Sequence, residues 1–186
     1  SEEIFFLNDF TEKIKKIIPE DLKDLNQYVF YGNEIKADDI LLCAKKFPMM
    51  GNKQLIIVKN GNKILKEIDK IISQKQSIPE STVLVICLDG VKINAKMKDL
   101  KINEEYGAIY DFKKIYDNKM PNWIKYLAQR SGFKIDFKTC ELIKERTGNN
   151  LSKVKIEFEK ISLNTQRAEI SSDLIVEHFG INNDYN

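Results

Sequence analysis

The chain has 186 residues, 42% of them hydrophobic and 31% charged, with a formal net charge of +2. Such a composition is typical of a globular protein with one ample core or two small ones, and the small net charge argues against a protein that wraps DNA unaided. No apolar run approaches the ~20 residues of a membrane span, and the acidic residues 2 and 3 are unlike a basic secretory leader. We therefore expect a cytoplasmic protein.

The first part of the chain alternates between helical and strand patterns. Leu7, Phe10, Ile14 and Ile17 follow steps of three, four and three, which predicts a helix that ends near Pro19. Asp38 is expected to cap the next helix, which ends near Pro48, and apolar spacing predicts another helix over 64–72. Apolar runs predict strands at 28–31, 55–58, 82–88 and 108–111.

The strand at 82–88, TVLVICL, is apolar throughout. Strands of this kind belong to parallel sheets that helices cover on both faces. Alternation of helices and strands at this spacing predicts a doubly wound α/β domain with a parallel sheet over residues 1–116. The chain opens on a helix, so the first strand of this sheet is expected to be missing from the sequence.

From residue 117 onward the pattern is purely helical, and a small all-α domain is expected over 117–186. Residues suited to begin its helices are Asn118, Asp136, Asn150 and either Ser171 or Ser172. Gly132 and Gly148 are expected to end the first two helices. This arrangement resembles a helical lid that follows an α/β domain.

An α/β domain with a helical lid suggests a nucleotide-binding ATPase, but the sequence contains no GxxxxGK[ST] phosphate loop. Gly51-Asn52-Lys53 and Gly61-Asn62-Lys63 are partial matches that we interpret as turns with exposed lysines. One alternative stays open: a nucleotide-dependent phosphotransferase whose phosphate loop precedes this sequence. Acidic residues 2 and 3 argue against it, because they would repel a triphosphate.

Metal and nucleophilic sites are poorly supported by the sequence. Cys43, Cys87 and Cys140 are far apart in apolar stretches, which predicts buried thiols rather than a disulfide framework or a metal site. His178 is the only histidine, so a two-histidine metal site is excluded. We expect neither a metal nor a cofactor.

The segment Lys45-Lys46-Phe47-Pro48-Met49-Met50-Gly51-Asn52-Lys53-Gln54 stands apart from the other connections. A connection between a helix and a strand is usually polar, yet here two methionines follow a proline. Methionine adapts readily to irregular pockets. The pair therefore indicates either core packing or an exposed wedge that contacts a partner.

The string AKKFPMMGNKQLIIVKN, residues 44–60, resembles the delta-subunit family of bacterial DNA polymerase III. Three further segments are similar to that family: PESTVLVICL at 79–88, Trp123-Ile124, and LIKERTGNNLSKVKIEFEKISL at 142–163. The last segment contains a Gly-Asn-Asn-Leu helix start and a Glu-x-x-Lys-Ile pattern. The resemblance covers nearly the whole chain, and its specificity rests on the order of these motifs.

The resemblance implies an AAA+-like fold without ATPase activity, and a protein that binds the ring-shaped beta sliding clamp and opens one of its interfaces. Met49 and Met50 match the apolar wedge, where the family often has Leu-Phe. Gly51, Lys53 and Gln54 match the residues that follow it, with supporting roles. The family also implies a C-terminal collar domain, absent here, which assembles with the tau/gamma ATPase subunits and delta-prime to act on primed DNA.

A third interpretation is a general DNA-binding module. Lys92, Lys96, Lys98 and Lys101 form a modest basic cluster. Acidic residues balance the lysines over the chain as a whole, so we favour a solvated surface over a DNA-binding one.

Overall fold

The computed structural model describes residues 3–90 and 107–164, together with Ile170 and Ile175. It divides into two compact units, residues 1–114 and residues 115–186. At the centre of the first unit is a parallel sheet with the order β1-β2-β3. Its strands are β1 (Gln27–Tyr31), β2 (Gln54–Lys59) and β3 (Thr82–Ile86). The register aligns Tyr28, Ile56 and Leu84 across the three strands.

Strand β2 is buried on both faces. Successive side chains along a strand point to opposite faces of the sheet, and each face of β2 packs into its own core cluster. Leu55 and Ile57 pack into one core cluster, whereas Ile56 and Val58 pack into another on the opposite face. Strand β3 contributes to the same two clusters, although its side chains are half-buried. The prediction of a sheet covered on both faces is therefore confirmed.

Helices on the two faces complete the first unit. They are α1 (Ile4–Ile14), α2 (Lys23–Asn26), α3 (Ala37–Ala44) and α4 (Ile68–Ser73), and 3₁₀ turns at Lys15–Ile17, Glu20–Leu22, Ile64–Glu67 and Lys75–Ser77 flank them. Leu7 and Ile14 of α1 cover Leu55 and Ile57. Helices α3 and α4 cover the other face. The sheet therefore has helices on both faces, as predicted. The two helices that connect its strands, α3 and α4, lie on the same face, so the described strands do not show the chain reversal of a doubly wound sheet.

The strand predicted at 108–111 does not form, since residues 107–116 have no regular secondary structure. Aromatic side chains of this segment pack on helix α1 instead. The ring centroids of Tyr110 and Phe10 are 5.0 Å apart, and those of Phe112 and Phe6 are 6.2 Å apart. Contact with a helix therefore replaces strand pairing for these residues.

Asp38 does not cap α3, contrary to the prediction. The helix begins at Ala37, two residues earlier than a cap at Asp38 would give, and the Asp39 carboxylate accepts a hydrogen bond of 3.3 Å from the Lys36 backbone N–H. Asp38 lies in the first turn, where its carboxylate is 2.6 Å from the Lys70 Nζ. Because the helix begins two residues earlier, Asp38 forms an exposed ion pair instead of capping the helix.

The second unit contains α5 (Met120–Arg130), α6 (Phe137–Thr147) and α7 (Leu151–Asn164). Asp136 and Asn150 begin α6 and α7 as predicted, with side-chain oxygens that accept from Thr139 N at 2.7 Å and Lys153 N at 2.9 Å. The hydrogen bonds from Thr139 lower the pKa of Asp136. Asn118 lies instead in a 3₁₀ turn that precedes α5.

The buried residues of α7 follow steps of three, four and three, the spacing of one helical face: Leu151, Val154, Phe158 and Ile161. Gly132 adopts a positive φ of 82° just after α5 ends. The helix predicted from Ser171 or Ser172, together with His178, lies outside the described residues. No helix in the described part of the chain is long and apolar enough to cross a membrane.

All three cysteines are free and buried, as predicted. Burial raises the pKa of Cys43 and Cys87, and it raises the pKa of Cys140 to about 11. Within residues 3–90 and 107–164, no group of three histidine, cysteine or acidic side chains is placed to hold a metal ion.

Candidate functional site

The connection between α3 and β2, residues 45–53, is called here the Met loop. Its two methionines are exposed: Met49 retains 56% and Met50 85% of their accessible surface. Phe47, whose spacing from Ile40 and Cys43 predicts a place on the apolar face of α3, lies beyond the end of that helix and is strongly exposed as well. Of the two interpretations left open by the sequence, core packing is excluded. The Met loop presents large apolar side chains to solvent.

The buried side chain of Asn26 fixes the backbone of the Met loop. Its Nδ2 donates to the Met49 carbonyl oxygen at 2.7 Å, and its Oδ1 accepts from the Met49 backbone N–H at 2.6 Å. Asn26 is the last residue of α2, and only 1% of it is exposed. One amide therefore satisfies both backbone polar groups of Met49, in the way that a neighbouring strand would.

Gln54 holds the two ends of the same connection. The two hydrogens of its Nε2 are shared among three acceptors: Thr82 Oγ1 at 2.7 Å, the Ala44 carbonyl oxygen at 3.3 Å, and the Lys46 carbonyl oxygen. Thr82 Oγ1 donates in turn to Ala44 O at 2.9 Å. These bonds satisfy carbonyl groups at the C-terminal end of α3, which lack partners inside the helix.

The burial of Gln54, which is 1% exposed, keeps its side chain from touching a partner. Any role of Gln54 is therefore exerted through the shape of the Met loop.

Two backbone features shape the tip of the Met loop. Met50 has a positive φ of 54°, a conformation that costs a residue other than glycine roughly 1–2 kcal/mol. Gly51 lies against α2, where a Cβ would be 3.1 Å from Leu22 Cδ1 and 3.3 Å from Asn26 Nδ2. A side chain at position 51 would therefore require Leu22, Asn26 or the loop to shift by a few tenths of an ångström.

Lysines and a shallow groove surround the exposed methionines. Lys53 Nζ donates to the Glu80 carbonyl oxygen at 3.2 Å, and Lys45 Nζ donates to Gln74 Oε1 at 2.6 Å. Lys46 is exposed. The groove has a volume of about 690 Å³ and is lined by Phe47, Pro48, Gly51, Asn52 and residues 76–81. Exposed lysines thus precede and follow the apolar residues of the Met loop along the chain.

The segment Gly61-Asn62-Lys63, the other partial match to a phosphate loop, has a packing role. Gly61 is buried where the ends of β2 and β3 approach, and its N–H donates to the Cys87 carbonyl oxygen at 2.8 Å. A Cβ at this position would lie 2.7 Å from Ile86 Cγ2. Asn62 Nδ2 donates to Asp89 O at 3.0 Å. The glycine permits close approach of two chain segments.

The site residues proposed from the sequence are contiguous in the Met loop and the start of β2, so the structure necessarily brings them together. Asn26 is the residue that sequence reasoning missed, because a lone asparagine before a strand carries no signal of a partner 23 residues away. The lysines of the basic cluster, Lys92, Lys96, Lys98 and Lys101, lie outside the described residues.

Comparison with known protein families shows which family the chain belongs to. Residues 2–106 match the sequence model of the family described as DNA polymerase III, delta subunit. The chain belongs to this family. The matched residues include the whole Met loop and all three strands, so the predicted family resemblance is confirmed.

One curated relative is DNA polymerase III subunit delta of Bacillus subtilis, which is 25% identical over 182 residues. The match covers 92% of this chain and 52% of the relative. The chain therefore spans about half the length of the delta subunit that it resembles.

Solved structures support the fold. The Bacillus subtilis DNA clamp loader delta protein aligns with a TM-score of 0.73 at 23% identity, over 97% of this chain and 56% of the other. The Thermotoga maritima RuvB Holliday junction branch migration motor aligns with a TM-score of 0.50 at 12% identity, over 82% of this chain and 52% of the other. These matches confirm the predicted AAA+-like α/β fold with additional helices.

Proposed function

We propose that this chain is the clamp-binding part of a DNA polymerase III delta subunit. In this proposal Met49 and Met50 insert into an apolar pocket of the beta sliding clamp and help to open the ring for loading onto primed DNA. The observation that carries the proposal is the exposed methionine pair, held on a fixed backbone within the part of the chain that matches the delta-subunit family.

The energetics of the methionine pair are adequate for such a contact. Full burial of one methionine side chain contributes roughly 1.5–3 kcal/mol. Because Met49 is 56% and Met50 85% exposed, burial of the pair would contribute roughly 2–4 kcal/mol of the about 8 kcal/mol that a micromolar complex requires. Phe47 offers further apolar area, and Lys46 and Lys53 favour a pocket with acidic residues at its rim.

Opening of the ring requires no chemistry from this chain. A ligand shifts a conformational equilibrium only by its difference in affinity for the two states. The Met loop would therefore stabilise an open or distorted clamp by binding it more tightly than the closed ring. Gly51, Lys53 and Gln54 support this role through the shape and charge of the loop.

The remaining partners belong to the same proposal and concern the whole protein. The tau/gamma ATPase subunits and delta-prime would assemble with a further C-terminal domain, and primed DNA would be reached through the complex. A cytoplasmic location and a lack of intrinsic ATPase activity complete the proposal. Hydrolysis of ATP by the full-length parent chain alone would instead favour the phosphotransferase alternative.

The decisive experiment compares two double variants with matched exposure. Met49→Ala/Met50→Ala removes the proposed anchors. Ile156→Ala/Leu163→Ala removes two side chains of α7 that are 50% and 86% exposed, similar to the methionines. Binding to the immobilised sliding clamp of the same organism is measured by surface plasmon resonance.

We expect the methionine variant to bind at least about a hundredfold more weakly, which corresponds to about 2.7 kcal/mol. The α7 variant should bind like the wild type. Both should unfold at nearly the wild-type temperature, because the truncated side chains are exposed. Equal clamp affinity of the methionine variant and the wild type would contradict the proposal.

A further inference from the structure

The Asn26 side chain gives the Met loop a support that lies outside the loop itself. Its amide makes two short hydrogen bonds to the backbone of Met49, across 23 positions of sequence. It is buried at the end of α2, immediately before β1. Asn26 therefore connects the exposed methionines to the sheet layer without being accessible to a partner.

We propose that Asn26 is the positioning residue of the Met loop, holding Met49 and Met50 outward before the partner arrives. This inference rests on the proposed function, since it assigns Asn26 a part in clamp binding. The residue would act only through the loop backbone, because its own side chain is buried. A partner that meets a fixed loop avoids the cost of ordering it.

The local geometry supports positioning rather than general stabilisation. Met49 is bound by Asn26, and Gly51 lies against Asn26 and Leu22, so the residues on either side of Met50, with its positive φ, both contact the segment 22–26. Without the two bonds, the backbone next to the strained Met50 loses its hydrogen-bonded support. The Met loop would then sample other orientations of its two exposed methionines.

Two substitutions of Asn26 test its hydrogen bonds to the Met49 backbone. Asn26→Leu keeps a similar volume and removes both hydrogen bonds. Asn26→Asp keeps an acceptor for the Met49 N–H but replaces the donor to the Met49 carbonyl with an oxygen that repels it. Thr11→Val is the matched control: Thr11 is buried in the same unit, and its Oγ1 donates to the Leu7 carbonyl at 2.7 Å, away from the Met loop.

The first measurement needs no partner. Hydrogen exchange at the Met49 amide, followed by NMR, should be at least about tenfold faster in Asn26→Leu than in the wild type, because the protecting acceptor is lost. Hydrogen exchange at the β2 amides should change only as much as the free energy of global unfolding changes. Unchanged protection of the Met49 amide in Asn26→Leu would overturn the inference.

The second measurement is affinity for the sliding clamp. Both Asn26 variants should bind about tenfold more weakly, whereas Thr11→Val should bind like the wild type even where it loses comparable thermal stability. In the background of Met49→Ala/Met50→Ala, Asn26→Leu should have almost no further effect, since no anchors remain to be positioned.

The outcomes separate the two proposals. Normal clamp binding by the Asn26 variants, together with lost binding by the methionine variant, would overturn the positioning role and leave the proposed function standing. Normal binding by the methionine variant would overturn both, because Asn26 would then have no clamp anchors to position.

Discussion

The tripeptide Gly-Asn-Lys occurs at both ends of β2, and its two copies have different surroundings. At 51–53 it closes the Met loop, where Asn52 and Lys53 are exposed and Gly51 lies against α2. At 61–63 its glycine is buried between the ends of β2 and β3. The first copy shapes an exposed apolar tip, and the second permits close packing within the fold.

The comparison shows that the contacts of each glycine come from distant residues rather than from the tripeptide. Gly51 meets Leu22 and Asn26, whereas Gly61 meets Ile86 and the Cys87 carbonyl oxygen. Neither copy has the structural context of a phosphate loop, which follows a strand and opens a full helix. Substitutions at matched positions of the two copies test whether residues 51–53 shape the Met loop and residues 61–63 permit packing of the fold.

The largest change in stability is expected from Gly61→Ala. Its Cβ would lie 2.7 Å from Ile86 Cγ2 and 3.1 Å from the Cys87 carbonyl oxygen, so a side chain and the backbone must both move. Overpacking of this kind costs about 1–3 kcal/mol, and we expect the upper half of that range in urea denaturation. The folded fraction should still bind the clamp normally. If the Gly61→Ala variant were as stable as the wild type, the packing role assigned to Gly61 would be wrong.

Gly51→Ala should have the opposite profile. The nearest atom to its Cβ is Leu22 Cδ1, the end of a flexible side chain, so we expect about 1 kcal/mol of destabilisation. Clamp affinity should nevertheless fall several-fold, because the new Cβ also lies 3.3 Å from Asn26 Nδ2, the group that donates to the Met49 carbonyl oxygen. If Gly51→Ala altered stability more than Gly61→Ala did, the assignment of shape to one copy and packing to the other would be wrong.

Substitutions of Met50 distinguish the effect of its strained backbone from the effect of its side chain. Met50→Gly and Met50→Ala both remove the proposed anchor and should weaken clamp binding equally. Only glycine relieves the positive φ of 54°, so Met50→Gly should be about 0.5–1 kcal/mol more stable than Met50→Ala. Thermal unfolding of the two variants measures this difference, and a more stable alanine variant would argue against the strained conformation.

The smallest effects are expected at the two lysines. Lys53→Ala and Lys63→Ala should each change the free energy of unfolding by less than about 0.5 kcal/mol, because both side chains are exposed. Only Lys53→Ala should weaken clamp binding, by a few-fold at low salt and less at high salt. Equal losses at both lysines would indicate a general charge effect rather than a local one.

The sequence predicted those parts of the fold in which apolar spacing leads directly to burial. The uninterrupted apolar residues of β2 and the regular spacing in α7 are examples, since neither has a competing arrangement. Residues 108–111 have an equally strand-like composition, but Tyr110 finds aromatic partners on α1. Such a choice between partners is a tertiary effect that a local pattern does not contain.

The candidate site also has a part that the sequence predicts and a part that depends on the fold. An apolar pair after a proline marks Met49 and Met50 in the sequence, whereas their exposure depends on how α3 and β2 are placed. The bonds from Asn26 arise only once α2 and the Met loop have been brought together by the fold. Asparagine before a strand is too common to predict them.

The buried cysteines make selective labelling of this protein practical. Thiols react with maleimides as thiolates, and burial shields these three and raises their pKa values, that of Cys140 to about 11. A cysteine introduced by Asn52→Cys, at an exposed position beside the methionines, should therefore react far faster at pH 7 than the native ones. A fluorophore placed there would report when the tip of the Met loop leaves water, with all three native cysteines still in place.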